Sequence, residues 1–184
     1  GAISGSSSGM PDSGNIQGYD NSQIIMDGGS VHNYLDATDS SRVTIYNGHI
    51  GGRLQITSDI QAIVHKVNTA TLVARFEGHI EFYDGWVSSR IAADHTAALV
   101  LYGYDFEIDG VPVDYTTLSS VHGGIYYDEP VRHITGFTKS GDISADFYIG
   151  RDAQIILKPV PEPYTFLMLI VGGSMLKKKT YNLS

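Results

Sequence analysis

Four carboxylates, Asp20, Asp39, Asp59 and Asp94, stand 19, 20 and 35 residues apart. Carboxylates brought side by side are the ligands a hard cation such as Ca²⁺ takes. A pair of them also serves acid–base cleavage of glycosidic bonds. Asp and Ser beside a strand start are, however, ordinary turn formers that bond their own backbone. Asp59 falls one residue out of step, and the 72–90 stretch offers Arg75 and Glu77 in place of the column. The spacing therefore favours turns, and the sequence assigns no catalytic residue, cofactor or metal ligand.

The seven His residues, at 32, 49, 65, 79, 95, 122 and 133, show no His-x-x-x-His or similar ligand spacing. Cys is absent, which excludes disulfides, zinc–thiolate sites, iron–sulfur clusters and a Cys nucleophile. Nucleophile-elbow, phosphate-loop and dinucleotide fingerprints are also missing. Tyr46, Tyr83, Trp86 and Tyr102 could stack on sugar rings, and Tyr46 and Tyr83 stand 37 residues apart. Aromatic stacking within a sheet is the competing reading. With 12 basic and 20 acidic residues, a formal charge of -8, the chain repels phosphate backbones, which argues against nucleic acid as a partner.

The elements that would carry these side chains follow from a repeat. The chain has 184 residues, 42% of them apolar, with 21 Gly, which suits one domain of short strands and tight turns plus a tail. Asn47-Gly48-His49-Ile50-Gly51-Gly52-Arg53-Leu54 recurs as Asp84-Gly85-Trp86-Val87-Ser88-Ser89-Arg90-Ile91, 37 residues on. The half-period then emerges: Ile16, Leu35, Leu54, Leu72 and Ile91 are spaced 19, 19, 18 and 19. Gly18, Ala37, Ile56, Ala74 and Ala93 form a second column two residues later. Further columns read Met26, Ile45, Ile63, Phe82 and Leu101; Val31, Ile50, Asn68, Val87 and Phe106; and, at a turn, Gly29, Gly48, Lys66, Gly85 and Tyr104. Alternation such as Leu35-Asp36-Ala37 buries one face of a strand. Coils of this length stacked on one another predict an all-β fold, a parallel β-helix (β-solenoid) of about four to five coils. The 19-residue steps favour a right-handed sense. The competing fold is a β-sandwich.

Residues 1–14 read as an N-terminal fragment or degenerate coil, and 15–106 as the solenoid. The period stops after Gly103. Asp109-Gly110 and Ser140-Gly141-Asp142 are tight hairpin signals, so 107–159 reads as a β-hairpin cap over the solenoid's C-terminal end, with a long loop over 113–130.

Val160-Pro161-Glu162-Pro163 breaks any preceding strand. Thirteen uncharged residues follow, Tyr164 to Leu176, then Lys177, Lys178 and Lys179. The run is shorter than the ~20 residues a comfortable membrane span needs. Turn motif, apolar run and basic cluster form the layout of a sorting signal, with the charges retained inside. A core strand or helix is the plainer alternative.

This tail resembles the PEP-CTERM sorting signal, through Pro161, Glu162, Pro163, the 164–176 run and Lys177–Lys179. The coil style Asp39-Ser40-Ser41-Arg42-Val43-Thr44-Ile45-Tyr46-Asn47-Gly48 is similar to that of β-helix proteins carrying this signal. So are the later segments Tyr102-Gly103-Tyr104-Asp105-Phe106, Thr135-Gly136 and Gly141-Asp142-Ile143. Lys in place of the commoner Arg, and a run rich in Met and Ile, depart from the usual pattern. The resemblance implies a Gram-negative host and recognition of residues 160–184 by exosortase, a membrane protease/transpeptidase. It implies a short C-terminal apolar helix as a transient inner-membrane anchor, then a cell-surface or extracellular location. The expected role is a structural or adhesive protein of the envelope or biofilm matrix, with extracellular polysaccharide as a candidate partner and no catalysis of its own. A polysaccharide-active lyase-like enzyme and a carbohydrate-binding module are the alternatives.

Overall fold

The computed structural model describes residues 2–6, 13–122 and 131–161. All their regular structure is β: β1 (Ala2–Ser6), β2 (Ser13–Gly18), β3 (Gln23–Ala37), β4 (Arg42–Thr57), β5 (Gln61–Val64), β6 (Val67–Arg75), β7 (His79–Phe82), β8 (Gly85–Ala93), β9 (Ala98–Ile108), β10 (Val111–Pro112), β11 (Thr117–Leu118), β12 (Arg132–Phe137), β13 (Asp142–Ile149) and β14 (Gln154–Pro159). The strands stack as parallel coils of a β-solenoid of about five turns. Part of the 1–14 stretch joins the stack, because β1 pairs parallel with β3.

In-register stacking places like on like. One column runs Ile16, Leu35, Leu54, Leu72, Ile91 and then Phe147. Beside it run Gly18, Ala37, Ile56, Ala74, Ala93 and Ile149. Both columns extend the spacing seen in the sequence by one layer. On the opposite side Ile24, Val43, Ala62, Ile80, Leu99 and Ile155 form another, with Met26, Ile45, Val64, Phe82, Leu101 and Leu157 next to it. These side chains form one continuous core along the axis.

In the short coil three of the expected column members shift by one residue. Val64, not Ile63, lies below Phe82; Thr69, not Asn68, lies below Val87; and Val67, not Lys66, faces Gly85. The cause is where the short coil loses its residue. Strand register holds through Thr69, and the deletion falls at the corner, where Ala70 replaces the Gly51-Gly52 pair. A corner can lose a residue, whereas a strand that slips by one turns its buried face outward. Thr69 occupies a core position, and its hydroxyl lies 3.1 Å from both the Gly52 and Thr71 carbonyls, satisfying the shortened corner.

The interruption after Gly103 is an excursion rather than the end of the stack. β9 begins on the coil face, pairing parallel with β7, then continues outward. Its far half turns at Asp109-Gly110 into β10, with both turn residues at positive φ (52° and 76°). It also pairs antiparallel with β12. The chain turns again at 138–141 into β13, so both hairpin signals hold. But β13 then lies parallel on β8, and β14 parallel on β9. Ile143, not Phe106, therefore completes the column above Val87. Within the 113–130 stretch, Thr117–Leu118 forms β11 and pairs antiparallel with β14. The Tyr102–Phe106 and Thr135-Gly136 segments meet at one point. The Phe106 ring sits against Gly103 and Gly136, where a Cβ would come within 2.7 Å and 2.5 Å of it respectively.

Candidate functional site

The corner that follows the small-residue column holds a left-handed residue in successive turns: Asp20, Asp39, Ser58, Phe76 and His95, with φ from 53° to 73°. Asp tolerates this conformation because its short polar side chain bonds locally. Asp59 and Asp94 fall on either side of that position, so the four sequence-selected carboxylates spread over three columns. The Asp39 carboxylate accepts from the Asp20 amide at 3.5 Å, and Ser22 and Ser41 hydroxyls stack at 3.1 Å. Among the described residues no group of three or more His, Asp or Glu is close enough to hold a metal ion.

The aromatic positions do come together. Tyr46, His65, Tyr83 and Tyr102 form an outward ladder, with ring centroids 5.2, 5.7 and 4.3 Å apart and planes within 20° of parallel. Lys158, the register partner of Tyr102, lies over its ring at 5.7 Å. The sequence reading found three of these rings and missed His65, which the 19-residue step from Tyr46 marks. Trp86 stands apart, tilted against His49. Stacking face to face along the axis turns the ring faces toward one another and the ring edges outward. A sugar needs an open face, and only the end of the ladder at Tyr46, 51% exposed, offers one. The Tyr83 hydroxyl donates to Glu81. Burial first, then that bond to a carboxylate, pushes the Tyr83 phenol's pKa upward, so it stays protonated.

A denser polar site joins the excursion to the coils. Asp84, at the corner before β8, accepts from the Ser140 amide at 2.7 Å, the Ser140 hydroxyl at 2.8 Å, the Thr138 hydroxyl at 2.9 Å and the Gly85 amide at 2.8 Å. Partial burial alone would raise the carboxyl's pKa; the hydrogen bonds outweigh it and hold it below the usual range. Gly141 lies so close to Gly85 that any side chain there would meet its carbonyl. This is a structural anchor.

On the outer face of the returning hairpin, His133 of β12 stands opposite Asp146 of β13, with Ser144 two residues away. His133 Nδ1 lies 3.1 Å from Asp146 Oδ1, and its Nε2 lies 3.2 Å from Ser144 Oγ. The His spacing in the sequence gives no sign of this pairing. The Ser140-Gly141-Asp142 turn signal contained the register that pairs it, but only once both strands are placed.

Of the sorting residues, Pro161 is exposed just past the end of β14. Glu162, Pro163, Lys177, Lys178, Lys179 and the expected apolar helix lie outside the described residues. Among those described, no helix is long and apolar enough to cross a membrane. No family model, no curated protein and no solved structure matches this chain.

Proposed function

We propose that the chain is an exported structural or adhesive protein of a bacterial envelope or extracellular matrix. In this reading the coils form a stiff rod, right-handed as the 19-residue step suggests. Residues 160–184 are an exosortase-type sorting signal, with 164–176 a helix held transiently in the inner membrane and Lys177–Lys179 on its cytoplasmic side. The observation that carries the reading is the unbroken in-register column from Ile16 to Phe147. A continuous core and a continuous ladder along one axis resist bending, which suits a spacer. Exposure of Pro161 beyond the last strand adds support, since a protease must reach the motif. Loss of 160–184 would remove three Lys and Glu162, leaving 9 basic and 19 acidic residues on the released rod.

The test is mass spectrometry of the mature C-terminus in a native host, with immunoblots of cell and medium fractions. Glu162→Ala is expected to leave an unprocessed precursor, and Lys177–Lys179→Glu to weaken membrane retention before cleavage. A wild-type chain that keeps residues 160–184 when mature would overturn the sorting reading.

A further inference from the structure

The hairpin that rejoins the coils brings together three groups that no earlier step employs. The Asp146 carboxylate can only accept, so the His133 proton must sit on Nδ1, 3.1 Å away. In the neutral imidazole the other nitrogen, Nε2, then carries a lone pair that the Ser144 hydroxyl, 3.2 Å away, can donate to. The order carboxylate, imidazole, hydroxyl is that of a base-activated nucleophile held by an orienting acid. Neighbouring cations are engaged elsewhere: Arg132 bonds Asp109 at 2.7 Å, and Arg90, the register partner of Asp146, lies over the Tyr148 ring.

Ser144 also lines a groove, together with Asp105, Glu107, Pro112, Phe137 and Asp142. Phe137, which lines the groove, stacks on Tyr104 at 5.7 Å, and the two are 49% and 44% exposed. Across the groove the β9–β12 register shifts between Thr135 and Phe137, so Gly136 faces both Asp105 and Phe106. A bulge of this kind puts two residues of β9 opposite one of β12 and bends the groove wall. The three carboxylates repel anions, and the aromatic pair offers an apolar platform.

We propose that Ser144, His133 and Asp146 form an acyl-transfer site for small uncharged carboxylic esters. Ser144 Oγ bonds to the ester carbonyl carbon as its proton passes to His133 Nε2. The bond to the alcohol oxygen breaks, and that proton leaves on the alcohol. Water then adds to the acyl carbon and gives a proton to His133. Collapse releases the carboxylic acid and returns the proton to Ser144. Ser144 and His133 are the catalytic residues, and Asp146 is a positioning residue. The sorting reading is independent of this chemistry and survives its failure.

The experiment treats the full chain with an uncharged fluorophosphonate and maps the adduct by mass spectrometry, alongside hydrolysis of p-nitrophenyl acetate. The expected result is an adduct on Ser144, absent in Ser144→Ala. In His133→Gln, labelling should slow by about 100-fold or more. Asp146→Asn should lower kcat by a similar factor while KM stays within about twofold, a split that a merely structural role would not produce. Circular dichroism and melting temperature establish that each variant folds. Absence of an adduct on wild-type Ser144, or unchanged labelling in a folded His133→Gln, would overturn the proposal; the first outcome needs no variant.

Discussion

The coils and the excursion are built from the same strands but held together differently. Between Gln23 and Leu101 each strand segment repeats its neighbour's side chains, and stability comes from apolar columns in which every layer touches the next. Between Tyr104 and Gly141 the coil repeat does not continue. That stretch depends on particular fits: Phe106 against Gly103 and Gly136, and Asp84 accepting from both Thr138 and Ser140. Repetition spreads the load over many equivalent contacts. A single junction concentrates it in a few. Substitutions in the two regions should therefore fail in different ways.

The largest effect is expected in the columns. Phe82 is fully buried between Val64 and Leu101, and Phe82→Ala should cost about 3–5 kcal/mol through lost transfer energy and a residual cavity. Thermal unfolding should show a lower midpoint for the whole rod. A variant that loses only the excursion would contradict the division drawn above.

Gly136→Ala comes next, at about 1–3 kcal/mol, because its Cβ would lie 2.5 Å from Phe106 Cδ1. Hydrogen exchange should rise across 102–141 while the amides of β4 to β7 keep their protection. Uniform loss of protection would mean that the two regions fold as one unit.

Asp84→Asn should cost about 1–2 kcal/mol by removing the charge from an acceptor of several hydrogen bonds. Its sign with pH is defined. The folded-state pKa is depressed, so the stabilisation is fully present above the unfolded value, about 3.9, and is lost as pH falls through the lower folded one. Wild-type amides at 138–141 should lose protection in acid below about pH 4, and Asp84→Asn should flatten that dependence.

The smallest effect, about 1 kcal/mol, is expected for Thr69→Val, which leaves the Gly52 carbonyl without its hydroxyl partner. Denaturant midpoints of the two proteins measure it. A neutral result would show that a valine, as in the Val87 layer above, serves the shorter corner equally well.

The positions legible in the sequence are those whose signal is local. Leu35, Leu54, Leu72 and Ile91 announce themselves because each coil must present an apolar residue to the one below, and the two hairpin turns do so through Gly and Asp chemistry within four residues. The match of Tyr46 with Tyr83, 37 residues apart, was visible for the same reason. His65 lies on the same step, 19 residues after Tyr46, but an imidazole in a column otherwise of phenols does not repeat its neighbours' residue type.

Alternation and the 19-residue step by themselves determined the parallel stacking and the columns through Leu35 and Ala37, since a strand's inward face is set by its nearest neighbours in the chain. Tertiary structure alone decided the rest. It placed the missing residue at Ala70, returned β13 to β8 across the excursion, and set His133 between Asp146 and Ser144. These depend on pairings between segments far apart in sequence, whose energies come from a partner strand's edge and not from any pattern within either segment.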